Sequence, residues 1–361
     1  MKLVVLGLSL SSAWGNGHAT TWRALLRAFA ARGHSVTFLE RDVPWYAAHR
    51  DLPEPDFCRF ALYHDLDELA GWRREIAAAD AVIVGSYVPE GVAVGRLVQR
   101  IAVGITAFYD IDTPVTLAKL SRGDYEYVSP ALIAGYDLYL SFTGGPTLDV
   151  LEAEYGSPLA RVLYCSVDPD AYPKLERTWR WDLSYLGTWS ADRQASLDRL
   201  LLDAARRAPA LRFVVAGAQY PDDIVWPVNV ERVEHVAPDA HPEFYAESRF
   251  TLNVTRADMV RAGWSPSVRL FEAAACGTPV ISDPWPGLSS VFEPGDEILI
   301  AETTDDVLAA LAATGPGDRE RIAAAARARV LAQHTAGHRA EELEAHLNAA
   351  VTRRAEEKIP L

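Results

Sequence analysis

The chain has 361 residues, 49% of them apolar, with 22 prolines and 23 glycines. That is long for one core and comfortable for two domains of ordinary size built with many short turns. A formal net charge of −14 argues against nucleic acid or an anionic membrane as the main partner, since either selects a basic surface, but it leaves room for a local basic pocket.

The first elements follow from apolar runs and glycines. Leu3 to Leu10 reads as a buried strand, the loop Ser11 to His18 carries Gly15 and Gly17, and a helix runs from about Thr20 to Arg32 and stops at Gly33. Ser35 to Glu40 is the second strand. This strand–loop–helix–strand opening predicts a doubly wound α/β domain. The loop has no third glycine at the place a dinucleotide fingerprint requires, which disfavours an oxidoreductase. The alternation continues with helix Leu66–Ala79, strand Ala81–Gly85, helix Val92–Ile101, and strands Ile105–Tyr109 and Leu138–Phe142. Helix Thr147–Tyr155 and strand Arg161–Tyr164 close the first series.

After a linker near Val167 to Thr178 the same alternation restarts. Strand Leu183–Leu186 is followed by helix Ser196–Ala208, strand Leu211–Gly217, a short helix Pro242–Ser248 and strand Phe250–Val254. Strand Val280–Ile281, strand Ile298–Ile300 and helices from Asp305, Asp318 and Thr335 complete the chain. Cys58, Cys165 and Cys276 are too few and too scattered for a disulfide framework or a zinc site and read as small hydrophobes. The opening Lys2–Leu8 has one positive charge and no Ala-x-Ala pattern after it, so it does not read as a signal peptide. No run approaches the roughly 18 apolar residues of a membrane span. A cytoplasmic, soluble protein is the expectation.

The stretch Gly263 to Asp283 carries the clearest chemistry. Ser265 is a good N-cap, Pro266 suits the first helical position, and Gly277 supplies the stop. Val268, Phe271, Ala274 and Ala275 fall on one apolar face. Arg269 and Glu272, three apart, project from the same side. A helix start with an arginine one turn in attracts phosphate, and a carboxylate one turn deeper accepts hydrogen bonds from a sugar hydroxyl. The pattern predicts a site for an anionic, sugar-bearing ligand.

Arg269-Leu270-Phe271-Glu272-Ala273, followed by Ala275-Cys276-Gly277-Thr278-Pro279-Val280, resembles the donor-binding helix of the GT-B glycosyltransferases. The likeness is greatest to the bacterial-type family 4 enzymes and their spore-maturation (CgeB-like) relatives. It is clear over roughly residues 183 to 345 and weaker before them. It implies an α/β GT-B fold, with two Rossmann-like, doubly wound domains facing each other across a cleft. The domains would be an acceptor-binding 1–170 and a donor-binding 171–340, with a final helix 341–361 crossing back to the first.

The resemblance also implies residue roles. On the donor side it points to Gly187, Thr188, Arg193, Gly217, His235, Val236, Ser265, Ser267, Arg269 and Glu272, with His235-Val236 at the nucleobase and Glu272 at the ribose. Arg193 and Arg269 would clamp the pyrophosphate as the glycosidic bond breaks. The family turn carries an arginine where this chain has Thr188, and a first glutamate where it has Trp264. Trp264 or Ser265 would then cover the transferred sugar.

On the acceptor side fall Gly15, Asn16, Gly17, His18, Asp110 and Asp112. His18 would be the general base of an inverting enzyme. Asp110-Ile111-Asp112 mimics a metal motif that belongs to a different glycosyltransferase fold, so no metal and no cofactor are expected. The expected activity is transfer of a sugar from a UDP-, GDP- or dTDP-sugar to a small-molecule or glycan acceptor, retaining and metal-independent. The alternatives are an inverting transferase, a nucleotide-sugar epimerase and a non-catalytic nucleotide-sugar binder.

Overall fold

The computed structural model describes residues 1–357 and divides into two compact units. The first is Met1–Cys165 together with the C-terminal helix that begins at Ala336, and the second is Ser166–Thr335.

In the first unit, seven strands are β1 (Lys2–Gly7), β2 (Ser35–Arg41), β3 (Arg59–Tyr63), β4 (Ala81–Gly85), β5 (Ile105–Asp110), β6 (Leu138–Ser141) and β7 (Ala160–Val162). They lie in the order β3-β2-β1-β4-β5-β6-β7, and every pairing is parallel. Helix Ala336–Glu356 lies along helix His18–Ala31, where Arg32 pairs with Glu341 at 2.9 Å and with Glu344 at 2.7 Å.

The second unit holds β8 (Trp181–Leu186), β9 (Phe213–Ala216), β10 (Val230–Val233), β11 (Ser248–Asn253), β12 (Val280–Ser282) and β13 (Leu299–Ile300). Their order is β10-β9-β8-β11-β12-β13, again parallel throughout. Each sheet therefore reverses its winding beside its first strand, between β1 and β4 and between β8 and β11. In open α/β sheets such a switch point opens a crevice outside the carboxyl ends of the strands.

The central strands read clearly because they are buried on both faces: Ala81 to Gly85 is buried at every position. β3 and β10 were not expected from the sequence. Both are edge strands and mostly half-exposed, and their sequences are short: Phe60 to Tyr63 is a run of four apolar residues, and Val230–Val233 is interrupted by Glu231 and Arg232. The helix expected over Leu66–Ala79 is two helices, Leu66–Gly71 and Arg73–Ala78, broken at Trp72 just after Gly71. Trp72 instead takes the Arg59 guanidinium over its ring at 4.7 Å.

The helix expected from Ser196 starts at Ala191 and passes through a π-helical turn, Asp198–Leu202, before ending at Arg207. Short helices over Thr113–Leu120, Pro130–Gly135 and Ala257–Ala262 were also unforeseen, the last with none of its residues buried.

Candidate functional site

At the second switch point, β8 ends on Leu186 and the chain turns through Gly187-Thr188-Trp189. The turn is zipped to the end of β9: Gly187 N donates to Ala216 O at 2.8 Å and Trp189 N to Ala218 O at 2.9 Å. A Cβ on Gly217, whose φ is +147°, would sit 2.0 Å from Gly187 O, so only glycine permits this approach. A Cβ on Gly187 would stand 2.6 Å from Nη2 of Arg269. The guanidinium therefore lies directly against bare backbone.

Arg269 is only 7% exposed, and its position is over-determined. Nε donates to Leu186 O, Nη1 donates to Asn253 Oδ1 at 2.9 Å, and the guanidinium lies 4.7 Å from the centroid of Tyr185. The Ser267 hydroxyl donates to the same Asn253 oxygen at 2.8 Å. That bond explains a correction to the sequence reading. The helix runs Val268–Ala275, with Ser267 as an N-cap whose side chain makes no capping bond. Ser265 and Pro266 lie in the preceding loop, where Gly263 (φ +68°) and Trp264 (φ +43°) both take left-handed conformations. Trp264 lies where a Cβ on Gly287 would come within 2.5 Å of its ring.

Glu272 shares a helix with Arg269, but their charged heads go to different partners. Its carboxylate accepts from the Tyr172 hydroxyl at 2.9 Å and the Tyr245 hydroxyl at 3.2 Å, with His241 Nδ1 at 3.8 Å. It is 4% exposed. Burial, with this carboxylate alongside, pushes both tyrosine hydroxyls well above their usual range.

Arg193 folds back on its own turn, donating from Nε to Ser190 Oγ at 2.9 Å and from Nη2 to Thr188 O at 2.5 Å. His235 is exposed, while Val236 is half-buried and offers its carbonyl to His241 Nε2 at 3.2 Å. A cavity of ≈ 470 Å³ borders the same turn, lined in part by Trp189, Gln194, Asp198, Pro221 and Val225.

The first unit answers the same topology differently. Trp22, fully buried, lies across the ends of β1 and β4: a Cβ on Gly7 would stand 3.2 Å from its Nε1, and one on Gly85 3.1 Å from its ring. Glu40 at the end of β2 accepts from Leu10 N (2.6 Å), Ser11 N (2.9 Å) and Ser11 Oγ (2.7 Å), so it ties down the loop after β1.

Asn16 completes that loop. Its Oδ1 accepts from His18 N at 3.1 Å and Ala19 N at 3.2 Å, and caps the helix that opens at His18. Gly15 takes a φ of +67° in the turn, while Gly17, the formal N-cap, sits at an ordinary φ of −87°. The His18 ring is 7% exposed, meets Tyr87 edge-on at 5.4 Å, and has no hydrogen-bond partner for Nδ1 among the described residues. Burial lowers its pKa and the charge of Asp112 partly offsets this, which favours a neutral imidazole at neutral pH. Asp110 is enclosed, accepting from Tyr139 at 2.5 Å and Thr116 at 2.9 Å, and burial raises it to about 6.

Residues 193–345 match a family described as glycosyl transferase-like. A comparison with curated protein sequences finds no match. Among solved structures the chain is similar to sucrose-phosphate synthase from Thermosynechococcus elongatus, at 14% identity and a TM-score of 0.71, over 98% of this chain and 99% of that one. It is similar to Anabaena HepE in complex with UDP and glucose, at 13% identity and a TM-score of 0.72, over 97% of this chain and 100% of that one. An α-glucosyltransferase in complex with UDP-glucose and DNA containing an abasic site gives 13% identity and a TM-score of 0.73, over 96% and 99%.

The fold is that of the GT-B glycosyltransferases. Within this GT-B scaffold, Asn253, Tyr172, Tyr245 and Arg232 are among the residues of the candidate site that the sequence reading missed. Arg232 of β10 lies against Tyr220 and Trp226, 4.2 and 4.6 Å from their ring centroids, and donates to Gly217 O at 3.1 Å. Tyr220 in turn donates to Gly187 O at 3.2 Å. The pair braces the Gly187–Gly217 junction. The signal for Arg232 was an arginine beside a valine in an edge strand, which periodicity does not single out.

Proposed function

We propose that the protein is a glycosyltransferase whose second unit binds a nucleoside-diphosphate sugar and whose first unit takes the acceptor. One observation carries the reading. Arg269 is fixed by three partners against side-chain-free backbone at a parallel-sheet switch point, which suits it to meet a diphosphate without reorganising.

As the bond from the anomeric carbon to the diphosphate oxygen breaks, negative charge grows on that oxygen and Arg269 stabilises it. Arg193 holds the Thr188 turn against the phosphates, and Glu272 anchors the ribose end with Tyr172 and Tyr245. The resemblance of the Arg269–Val280 block to the family 4 type and its CgeB-like relatives supports a retaining, metal-independent mechanism, in which the departing diphosphate oxygen itself takes the acceptor proton.

His18 supports a second, inverting reading. Burial keeps it neutral, and a neutral imidazole can remove the acceptor proton as the hydroxyl attacks.

Thermal unfolding against UDP, GDP and dTDP, each with EDTA, tests the donor site. A ligand at about 100 times its Kd stabilises by roughly 2.7 kcal/mol, a shift of several degrees. The expected result is a shift with one or two nucleotides that disappears in Arg269→Ala. Equal shifts in the variant would remove the site from this helix. The anomeric configuration of the product, read by NMR, then decides between the two mechanisms.

A further inference from the structure

The carboxyl edge of the first sheet carries aromatic rings on both sides of His18. Beside the loop after β1, Trp14 lies flat on His49, with centroids 4.6 Å apart and 10° between the planes. The short helix Pro44–Ala47, which follows β2, adds Trp45 at 55% exposure and the buried Tyr46. After β4, Tyr87 meets His18 edge-on and tilts onto Tyr127 at 4.6 Å. Tyr87 takes a φ of +62°, a left-handed conformation that a bulky residue holds only when its surroundings fix it.

Cations on this edge already have carboxylate partners. Arg23 grips Asp51 with two bonds of 2.7 and 2.8 Å, Arg50 holds Asp42 at 2.5 Å, Arg41 holds Glu90 at 2.8 Å, and Lys119 pairs with Glu126. A phosphate or carboxylate arriving here would have to break one of these pairs. A neutral ring would not, and it gains by stacking on tryptophan and tyrosine faces. Sugar rings and phenols share that property.

We propose that the acceptor is a neutral, ring-bearing alcohol or phenol that lies against Trp45 and Trp14 and presents its hydroxyl at His18. This rests on the reading that the first unit takes the acceptor. It sets the protein apart from a DNA-modifying transferase, whose acceptor is a polyanion.

Saturation-transfer NMR on the full chain, with phenol, methyl glucoside, phenyl phosphate and glucose 6-phosphate as probes, tests the proposal. At least one neutral probe is expected to bind, with its phosphate counterpart at least tenfold weaker. Trp45→Ala is expected to weaken the neutral probe at least tenfold with the unfolding temperature unchanged, while Trp45→Phe, which keeps a ring, restores binding. Preference for phenol or for methyl glucoside says which source supplies the ring.

UDP binding measured in parallel on the same samples separates the two readings. If UDP fails to bind the unmodified protein, the donor assignment fails, while the neutral-probe result stands alone. Phosphate esters binding as tightly as their parents, no neutral probe binding at millimolar concentration, or wild-type affinity in Trp45→Ala would each overturn the proposal.

Discussion

Gly187→Ala is the most direct way to displace Arg269 without altering a charge. The added methyl would stand 2.6 Å from Nη2, roughly 0.8 Å short of ordinary contact. A shift of that size carries the guanidinium out of reach of Asn253 Oδ1, now at 2.9 Å, or of Leu186 O. Each is a hydrogen bond to a charged group, of order 1.5–3 kcal/mol. If Arg269 binds the diphosphate only from its present position, UDP affinity should fall about 10- to 100-fold. Calorimetric titration measures the affinity, and urea unfolding measures the stability. The same methyl also meets the Tyr185 hydroxyl at 2.8 Å, so a second background is needed. In Arg269→Ala the Tyr185 clash persists but the guanidinium is gone, and Gly187→Ala should cost at least about 1 kcal/mol less stability there. Strict additivity of the two substitutions would refute the argument. Gly17→Ala, where an added methyl meets nothing within 4 Å, is the matched control and should be near neutral.

Glu272→Ala removes the acceptor of the buried Tyr245 hydroxyl, while Tyr172 keeps His241 Nδ1 at 3.0 Å, and should lower stability by about 1–3 kcal/mol even without nucleotide, measured by urea unfolding. His18 has a lowered folded pKa, so the folded state resists its protonation: stability is fullest above about pH 6.5 and falls as pH drops toward the lowered value. His18→Gln should flatten that limb in acid titrations, and in the inverting mechanism it should also abolish the acid limb of kcat/KM. Asp110 has the opposite sign. Its folded pKa of about 6, raised from 3.8, means stability present in acid is lost as pH rises through 6. Asp110→Asn should therefore gain on the order of 2–3 kcal/mol relative to the parent at pH 8, unless the amide loses the Tyr139 bond, and thermal scans across pH show which.

How much of this was legible depended on burial. Ala81–Gly85 and Val280–Ile281 were visible because a strand covered on both faces must be apolar throughout. Arg59–Tyr63 and Val230–Val233 were not, because one side of an edge strand answers to solvent. At the candidate site, Arg269 and Gly187, both singled out in the sequence for one ligand, do lie against each other. Their partners were not legible. Asn253 lies 16 residues before Arg269, and Tyr172 lies 100 before Glu272, so only the folded sheet brings them together. The start of the helix was misplaced for a similar reason: Ser265 and Pro266 carry good local signals, but left-handed residues at 263 and 264 and the Ser267–Asn253 bond move the first turn to Val268.

The two units share one strand order yet diverge at the switch point, and the difference is chemical. In the first, Trp22 lies across the ends of β1 and β4, 3.2 and 3.1 Å from where a Cβ on Gly7 or Gly85 would stand, with Phe38 closer still to Gly7 at 2.3 Å, and Glu40 ties the loop after β1 through two backbone amides and a serine. A carboxylate at the end of the second strand is where this topology ordinarily meets a ribose; here its oxygens are spent on protein. In the second unit, Gly187 after β8 meets an arginine and a tyrosine instead of an indole, Gly217 after β9 meets the Gly187 backbone, and Arg232 with Tyr220 braces that junction. A glycine at the end of the first strand therefore faces aromatic rings in one unit and leaves bare backbone beside a cation in the other. Exchanging those roles gives a clear expectation. Trp22→Ala should open an apolar cavity and cost about 3–5 kcal/mol without conferring nucleotide binding on the first unit, because nothing there replaces Arg269. UDP bound at two sites by that variant, counted by calorimetry, would show that the topology alone, and not its arginine, makes the site.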